Sequence, residues 1–338
     1  MPCLVTIGGF YGDEGKGKII AYLATKDDYN VAARGGVGPN AGHTFVQNGK
    51  EYKVRMLPSA VVNKNTRLLI GAGVLVEPNI LLKEIHEFNS VDRTFIDFQC
   101  GIIEPHHLET DKSDNHLKQT IGTTGTGTGP ANADRSSRKL KLAKDLPEVS
   151  LFLEDVSNSI NYSIDNKENV LIEGTQGTFL SLYHGMYPYV TSKDVTASAI
   201  CSDVGVGPKK IDDVLIVFKS FVTRVGEGPL ANEISIDEAR EKNWLEFGSV
   251  TGRQRRAAPF DFNLAKKSIQ INSATQIALT KLDIIFPQCK SIKDYSKLSN
   301  DAKKFVENIE SETGIPVTII GTGSVSYTHL TLPTICSV

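Results

Sequence analysis

Gly8-Gly9-Phe10-Tyr11-Gly12-Asp13-Glu14-Gly15-Lys16-Gly17-Lys18 follows an apolar run, Leu4 to Ile7, and leads into a helical pattern, Ile19 to Leu23. A glycine-rich turn between strand and helix gathers backbone N–H groups, the positive end of the helix and nearby ammonium groups, which together make an anion cradle. Gly12 to Lys18 fits the P-loop pattern G-x-x-x-x-G-K, yet Ile19 stands where that pattern has the Ser or Thr that holds Mg²⁺. A metal would therefore be held differently, and Asp13, inside the loop, is the candidate ligand. The plainer reading is a turn that binds nothing; the second lysine and the two acids among the glycines weigh against it.

Outward from this turn, apolar runs of strand length recur at Leu4–Ile7, Arg67–Ile70, Val170–Ile172, Val214–Phe218, Gln276–Leu279 and Val317–Ile320. They alternate with helical patterns near Asn79–Phe88, Ala133–Ala143, Phe262–Asn272 and Ala302–Ser311. Such alternation predicts an α/β fold with a mainly parallel central sheet flanked by helices. Asn48-Gly49, between His43–Val46 and Tyr52–Met56, reads as a hairpin turn, so small antiparallel additions decorate the sheet. Glycine and threonine concentrate after strands at Gly122–Gly129 and Gly174–Thr178, where open α/β sheets bind ligands.

No linker, repeat or charge block divides the 338 residues, so residues 1–324 read as a single large domain. The tail, 325–338, matches no pattern in the rest; it resembles read-through of cloning or adapter sequence and is set aside from the fold. A genuine terminal strand is the alternative. The five cysteines form no C-x-x-C pair or zinc spacing, which suits a reducing compartment and structural thiols. With 37 basic and 39 acidic residues the net charge is −2, so no basic field calls for nucleic acid. No apolar stretch approaches the roughly 18 residues of a membrane span, and a cytoplasmic location is expected.

Gly12–Lys18, Asn40–Thr44, Ile121-Gly122-Thr123-Thr124-Gly125 with Gly129-Pro130-Ala131, Glu173–Gly177, Tyr187–Ser192, Thr223–Gly226, Thr251-Gly252-Arg253 and Thr280–Asp283 occur in one order. Together, from Met1 to about Gly323, they resemble the adenylosuccinate synthetase family. The wording Ala33-Arg34-Gly35-Gly36-Val37-Gly38 and Gly129-Pro130-Ala131-Asn132-Ala133-Asp134 is closest to its compact archaeal-type branch. The resemblance implies that GTP phosphorylates O6 of IMP and that the amino group of L-aspartate then displaces the phosphate, giving adenylosuccinate.

By the same resemblance Asp13 is the base near N1 of IMP and a ligand of one Mg²⁺, with the Gly42 carbonyl as a second ligand. A carboxylate suits that proton abstraction. His43 is the second catalytic group, meeting charge between the phosphates and O6, and Lys16 neutralises phosphate charge; Lys18 simply begins the helix. Gly12, Gly15, Gly17, Thr44 and Arg255 join the GTP site. Lys281 and Asp283 read guanine, and Gly321, Thr322 and Gly323 form the last nucleotide segment, where Ser324 replaces the usual proline. Asn40, Thr123, Thr124, Gln176 and Thr191 hold IMP. Arg138 reaches the IMP phosphate of a neighbouring subunit, which implies a homodimer.

The resemblance also implies that Val250, Thr251 and Arg253 belong to the loop that closes over aspartate, with Arg253 on a substrate carboxylate; a guanidinium suits that task, since it grips a carboxylate with two parallel hydrogen bonds. Gln254 replaces a usual arginine there, and Ala257-Ala258-Pro259-Phe260 replaces a commoner Gly-Trp. Two other functions stay open at this point. One is a viral-type relative that makes 2-aminoadenylosuccinate from a guanine nucleotide; the other is a GTP-binding homologue without ligase activity.

Overall fold

The computed structural model describes residues 3–47, 49–248, 250, 252–323 and 329–331. Its strands are β1 (Cys3–Gly8), β2 (Val31–Arg34), β3 (His43–Gln47), β4 (Lys50–Val54), β5 (Arg67–Ile70), β6 (Leu75–Val76), β7 (Thr94–Asp97), β8 (Gly101–Ile102), β9 (Leu153–Glu154), β10 (Val170–Glu173), β11 (Asp213–Lys219), β12 (Phe221–Arg224), β13 (Arg256–Pro259), β14 (Gln276–Thr280), β15 (Val317–Gly321) and β16 (His329–Thr331). Ten of them form one sheet in the order β16-β15-β14-β11-β1-β10-β2-β5-β7-β9. Neighbours run parallel throughout except β16, which pairs antiparallel with Ile319–Gly321. That short strand lies inside the tail set aside above; the rest of 325–338 lies outside the described residues.

Central strands are buried on both faces, which is why they read as unbroken apolar runs. Side chains of alternate residues divide into two cores. Val5, Ile172, Ile216 and Ile277 belong to one core, and Leu4, Leu171, Leu215 and Ala278 to the other. Helices α1 (Lys16–Lys26) and α2 (Pro78–Glu87) cover the second core through Ile19, Ile20, Leu81 and Ile85. Further helices along the chain are α3 (Pro105–Ser113), α4 (Thr128–Ser136), α5 (Val156–Asp165), α6 (Ala197–Val204), α7 (Ile236–Glu241), α8 (Phe262–Asn272), α9 (Leu282–Ile285) and α10 (Asn300–Thr313). Of these, α5, α6, α8 and α10 pack on the first core. The result is the helix–sheet–helix sandwich expected of an α/β chain.

Local chemistry sets the helix ends. Asp261 caps α8 by accepting the Leu264 N–H at 2.9 Å, Ser299 caps α10, and Gly314 closes α10 in the left-handed region at φ 75°. One expectation is corrected: the helix anticipated at Ala133–Ala143 runs instead from Thr128 to Ser136. Pro130 falls in its first turn, where a missing N–H costs little, and Arg138 follows in a left-handed turn at φ 64°. The ribbon β3–β4 forms as expected, and β12 pairs antiparallel with β13. Among the described residues no helix is long and apolar enough to cross a membrane.

Candidate active site

Arg34, Glu173, Lys219, Thr280 and Gly321 end β2, β10, β11, β14 and β15, so the loops after them gather at the carboxyl end of the parallel strands. The chain order reverses around β1, and open α/β sheets take ligands at such a point. A cavity of about 370 Å³ opens there, lined by Gly12, Asp13, Asn40, Gly42, His43, Thr123, Thr124, Gln176, Thr191, Val250 and Arg253 among others. The expected IMP and aspartate residues are thus brought together, apart from Arg138, which is exposed elsewhere, and Thr251, which lies outside the described residues.

The turn after β1 is built around its own acid. Glu14 accepts the N–H groups of Phe10 and Gly12 at 2.9 and 2.8 Å and pairs with Lys16 at 3.1 Å. Lys16 also donates to the Gln176 carbonyl, so the loop after β10 is tied to the turn after β1. Glu14 therefore occupies donors that an anion would use. Close approach explains two of the glycines: a Cβ on Gly9 would sit 2.1 Å from the Phe218 ring, and one on Gly17 2.6 Å from His43 Cβ. Gly15 caps α1 at φ 85°.

Asp13 Oδ1 pairs with Arg255 Nη2 at 2.8 Å, while Oδ2 is buried without a partner among the described residues. Burial pushes the Asp13 carboxyl up, and the Arg255 and Lys219 charges oppose that only in part. His43 stands in a second buried cluster. Its Nδ1 meets the Glu173 carboxylate, and Arg34 Nη1 lies 3.1 Å from Nδ1 and 3.3 Å from Glu173. Its Nε2 is buried with no partner among the described residues. Burial, with the Arg34 charge, brings His43 down to about 4, and the Glu173 carboxylate opposes that shift.

Arg255 links Asp13 to a cluster of charges that includes Lys281. Glu246 pairs with Arg255 at 2.5 Å, with Lys219 at 2.8 Å and with Lys281 at 3.2 Å. Burial raises the Glu246 pKa, yet the charges of Lys219, Lys281 and Arg255 hold it well below the usual carboxylate range. Thr280 Oγ1 donates to the Glu14 carbonyl at 2.6 Å, locking β14 to the turn after β1, and Asp283 Oδ1 is buried without a partner among the described residues. Lys18, expected only to begin the helix, donates to the Gly323 carbonyl and is pushed down to about 8 by burial, with Asp283 opposing. Thr44 lies in β3, and Thr322 Oγ1 donates to the Ile292 carbonyl at 2.6 Å.

Further contacts organise the site, among them those of Asp111, which carries no role in the sequence reading. Asp111 accepts Thr123 Oγ1 and the Gly127 N–H, both at 2.7 Å, and so shapes the threonine-rich loop. Arg253 Nη2 donates to the Gly122 carbonyl at 2.7 Å, joining the aspartate loop to that same loop. Phe260 packs against the rings of Phe10, Phe218, Phe262 and Phe305, which gives the altered wording before Asp261 a place in the core. Gln254 bridges Phe247, and nothing explains the loss of arginine there. Away from the cavity His106, His107 and Asp134 stand within reach of one ion. His107 Nδ1, however, accepts the Glu104 N–H at 2.9 Å, so Nε2 carries the proton it shares with Asp134 at 3.2 Å, and the trio reads as a helix cap.

A parallel sheet, a glycine-rich turn after its central strand and a cavity at the strand ends lined by Asp13 and His43 are the features of a nucleotide-handling α/β enzyme. Residues 5–152 and 140–288 match adenylosuccinate synthetase, and the chain belongs to that family. The adenylosuccinate synthetase of Methanocaldococcus jannaschii is 55% identical over 326 residues, covering 96% of this chain and 94% of that one. The fully ligated adenylosuccinate synthetase of Plasmodium falciparum has a TM-score of 0.91 at 25% identity, covering 98% of this chain and all of the other. A cyanophage S-2L succinoaminodeoxyadenylate synthetase bound to dGMP and dATP has a TM-score of 0.81 at 23% identity over 98% and 96% of the chains, and shares the fold. The viral-type alternative gains nothing beyond that likeness.

Proposed function

We propose that this protein joins L-aspartate to IMP at the expense of GTP, with Asp13 as base and His43 as the group that meets charge on the transferred phosphoryl. The observation that carries the assignment is the pair of buried, unpartnered atoms, Asp13 Oδ2 and His43 Nε2, on side chains that line one cavity. Asp13 takes the N1 proton of IMP; O6 then bonds to the γ-phosphorus as the bond to GDP breaks. The amino group of aspartate next attacks C6, and phosphate leaves with O6. The Asp13 carboxylate and the Gly42 carbonyl are hard oxygen donors lining the same cavity, which fits one Mg²⁺. Bound there, the ion would neutralise phosphate charge.

Asn40, Thr123, Thr124, Gln176 and Thr191 hold IMP in this reading, and Lys281, Asp283 and Gly321–Gly323 hold guanine. Lys16 exchanges Glu14 for phosphate. A homodimer, with Arg138 serving the neighbour's IMP phosphate, and a cytoplasmic location complete the proposal. The test is a spectrophotometric assay with IMP, GTP, L-aspartate and Mg²⁺, each omitted in turn. Turnover that needs all four supports the reading; GTP binding without turnover sinks it in favour of a non-catalytic homologue.

Two substitutions probe the specificity residues. Arg253→Leu removes the guanidinium proposed to grip aspartate and is expected to raise the KM for aspartate about 10- to 100-fold, with a far smaller change for IMP. Equal effects on both would break the assignment. Asp283→Asn removes the carboxylate proposed to accept from guanine N1–H and the amino group. It is expected to weaken GTP about tenfold or more, by loss of charge-assisted hydrogen bonds, and an unchanged preference for GTP over ATP would make Thr280–Asp283 structural.

A further inference from the structure

Glu246 is one acid serving three cations. Its Oε2 accepts from Lys219 at 2.8 Å and from Arg255 Nη1 at 2.5 Å, and its Oε1 meets the Lys281 ammonium at 3.2 Å. With cations on both oxygens the carboxylate cannot turn without breaking a contact. The three partners come from separate places in the fold: Lys219 ends β11, Lys281 follows β14 and Arg255 precedes β13. Lys219 is the anchor, since it is buried and also donates to Thr223 Oγ1. The backbone keeps the acid beside Arg255, whose N–H donates to the Glu246 carbonyl at 2.9 Å, while the Gly248 N–H donates to the Arg253 carbonyl at 2.8 Å. Lys281 stands at φ 62°, a left-handed conformation that a residue with a side chain keeps only where its surroundings fix it. Ser220 Oγ fixes its carbonyl at 2.7 Å, and Glu246 fixes its ammonium.

We infer that Glu246 is a positioning residue for the nucleotide, which holds Arg255 and Lys281 on one carboxylate so that two flexible cations from different elements meet GTP already ordered. The inference rests on the GTP site proposed above. Long basic side chains lose rotamer freedom when they grip a ligand, and a carboxylate that has ordered them beforehand removes part of that cost at binding. The three cations outnumber Glu246 and Asp13 together, so the acid orders the cluster and leaves it net positive toward a triphosphate. Base choice is left to Asp283. Glu246 therefore sets how tightly a nucleotide is held and not which one.

Calorimetric titration of the intact protein with GTP, with inosine triphosphate, which lacks the guanine amino group, and with IMP tests this. Glu246→Gln is expected to raise the Kd of GTP about tenfold, as loss of a charge-assisted contact does, and that of inosine triphosphate by the same factor. The Kd of IMP should stay unchanged. An unchanged Kd for GTP, a changed ratio between the two triphosphates, or an equal rise for IMP would overturn the inference. Val306→Ala, in the core under α10, is the control for lost stability: it should lower the unfolding midpoint and leave all three constants alone, and a matching rise for GTP would assign the effect to stability and overturn the inference. If Glu246→Gln does not fold, Glu246→Asp, which keeps the charge and shortens its reach, should give a smaller rise for both triphosphates, and none would count against the inference. In the Lys281→Met background Glu246→Gln should cost GTP less than it does in wild type, because part of its effect runs through that ammonium; additive losses would show that Glu246 does not act through Lys281. Wild-type protein that fails to bind GTP would instead sink the reading of the GTP site, an outcome distinct from failure at Glu246.

Discussion

Asp13→Asn is expected to lower turnover by about 10²- to 10⁴-fold, the usual contribution of a positioned general base, while IMP and GTP still bind. Asparagine has the same size and can still accept from Arg255 through its amide oxygen, so the 2.8 Å contact and the turn survive. What disappears is the acceptor at Oδ2, the atom left buried without a partner. Initial rates with calorimetric titration of each nucleotide separate the two effects; near-normal turnover would remove Asp13 from the mechanism. The pH profile carries a second signature. Burial holds the Asp13 pKa above its ordinary value, and a base works only when deprotonated, so wild-type turnover falls on the acid side of that raised pKa. The residual activity of the variant should lack this limb.

The part of the molecule legible in the sequence is the part whose signal is local. β10, β11, β14 and β15 are short and buried on both faces, so each announces itself as an apolar run. β2 does not: Ala32 and Ala33 at its centre carry little strand signal, and Arg34, a charge that reads as surface, is wholly buried. The helix at Thr128–Ser136 was displaced in the sequence reading because Gly129-Pro130 looks like a loop and the basic residues after it look helical. Only the backbone reversal at Arg138 tells where it ends.

The site divides in the same way. Asp13, His43 and Asp283 stand in glycine-rich or strand-end motifs that a single pass along the chain can find. Their partners cannot be found so: Glu173 lies 130 residues from His43 and 139 from Arg34, and 114 from Ser59. A buried charge is tolerated only where an opposite charge and hydrogen bonds meet it, so each of these residues had a partner to be sought. An acid closing the apolar run Val170–Ile172 was the one available clue.

Glu246→Gln is expected to cost the protein about 3 kcal/mol of stability, because removing one member of a buried ion cluster leaves the other charges uncompensated. Lys219 is the charge at stake. Its side chain is 2% exposed, its ammonium lies over the Phe221 ring at 4.7 Å, and Glu246 at 2.8 Å is its carboxylate partner. Glutamine keeps the shape and one acceptor but not the charge. Thermal unfolding should report a midpoint lower by roughly 5 °C for a chain of this size, and an unchanged midpoint would mean that water or another acid already compensates Lys219. The pH dependence fixes the cause. The folded-state pKa of Glu246 is depressed by its cations, so its contribution is fully present above the unfolded-state value of about 4.3 and is lost as pH falls from there. Wild type and variant should therefore differ by a constant amount above about pH 5 and converge below it. A gap that instead persisted into acid would assign the loss to packing at the Phe221–Trp244 stack beside the loop, whose rings lie 4.8 Å apart, and not to charge.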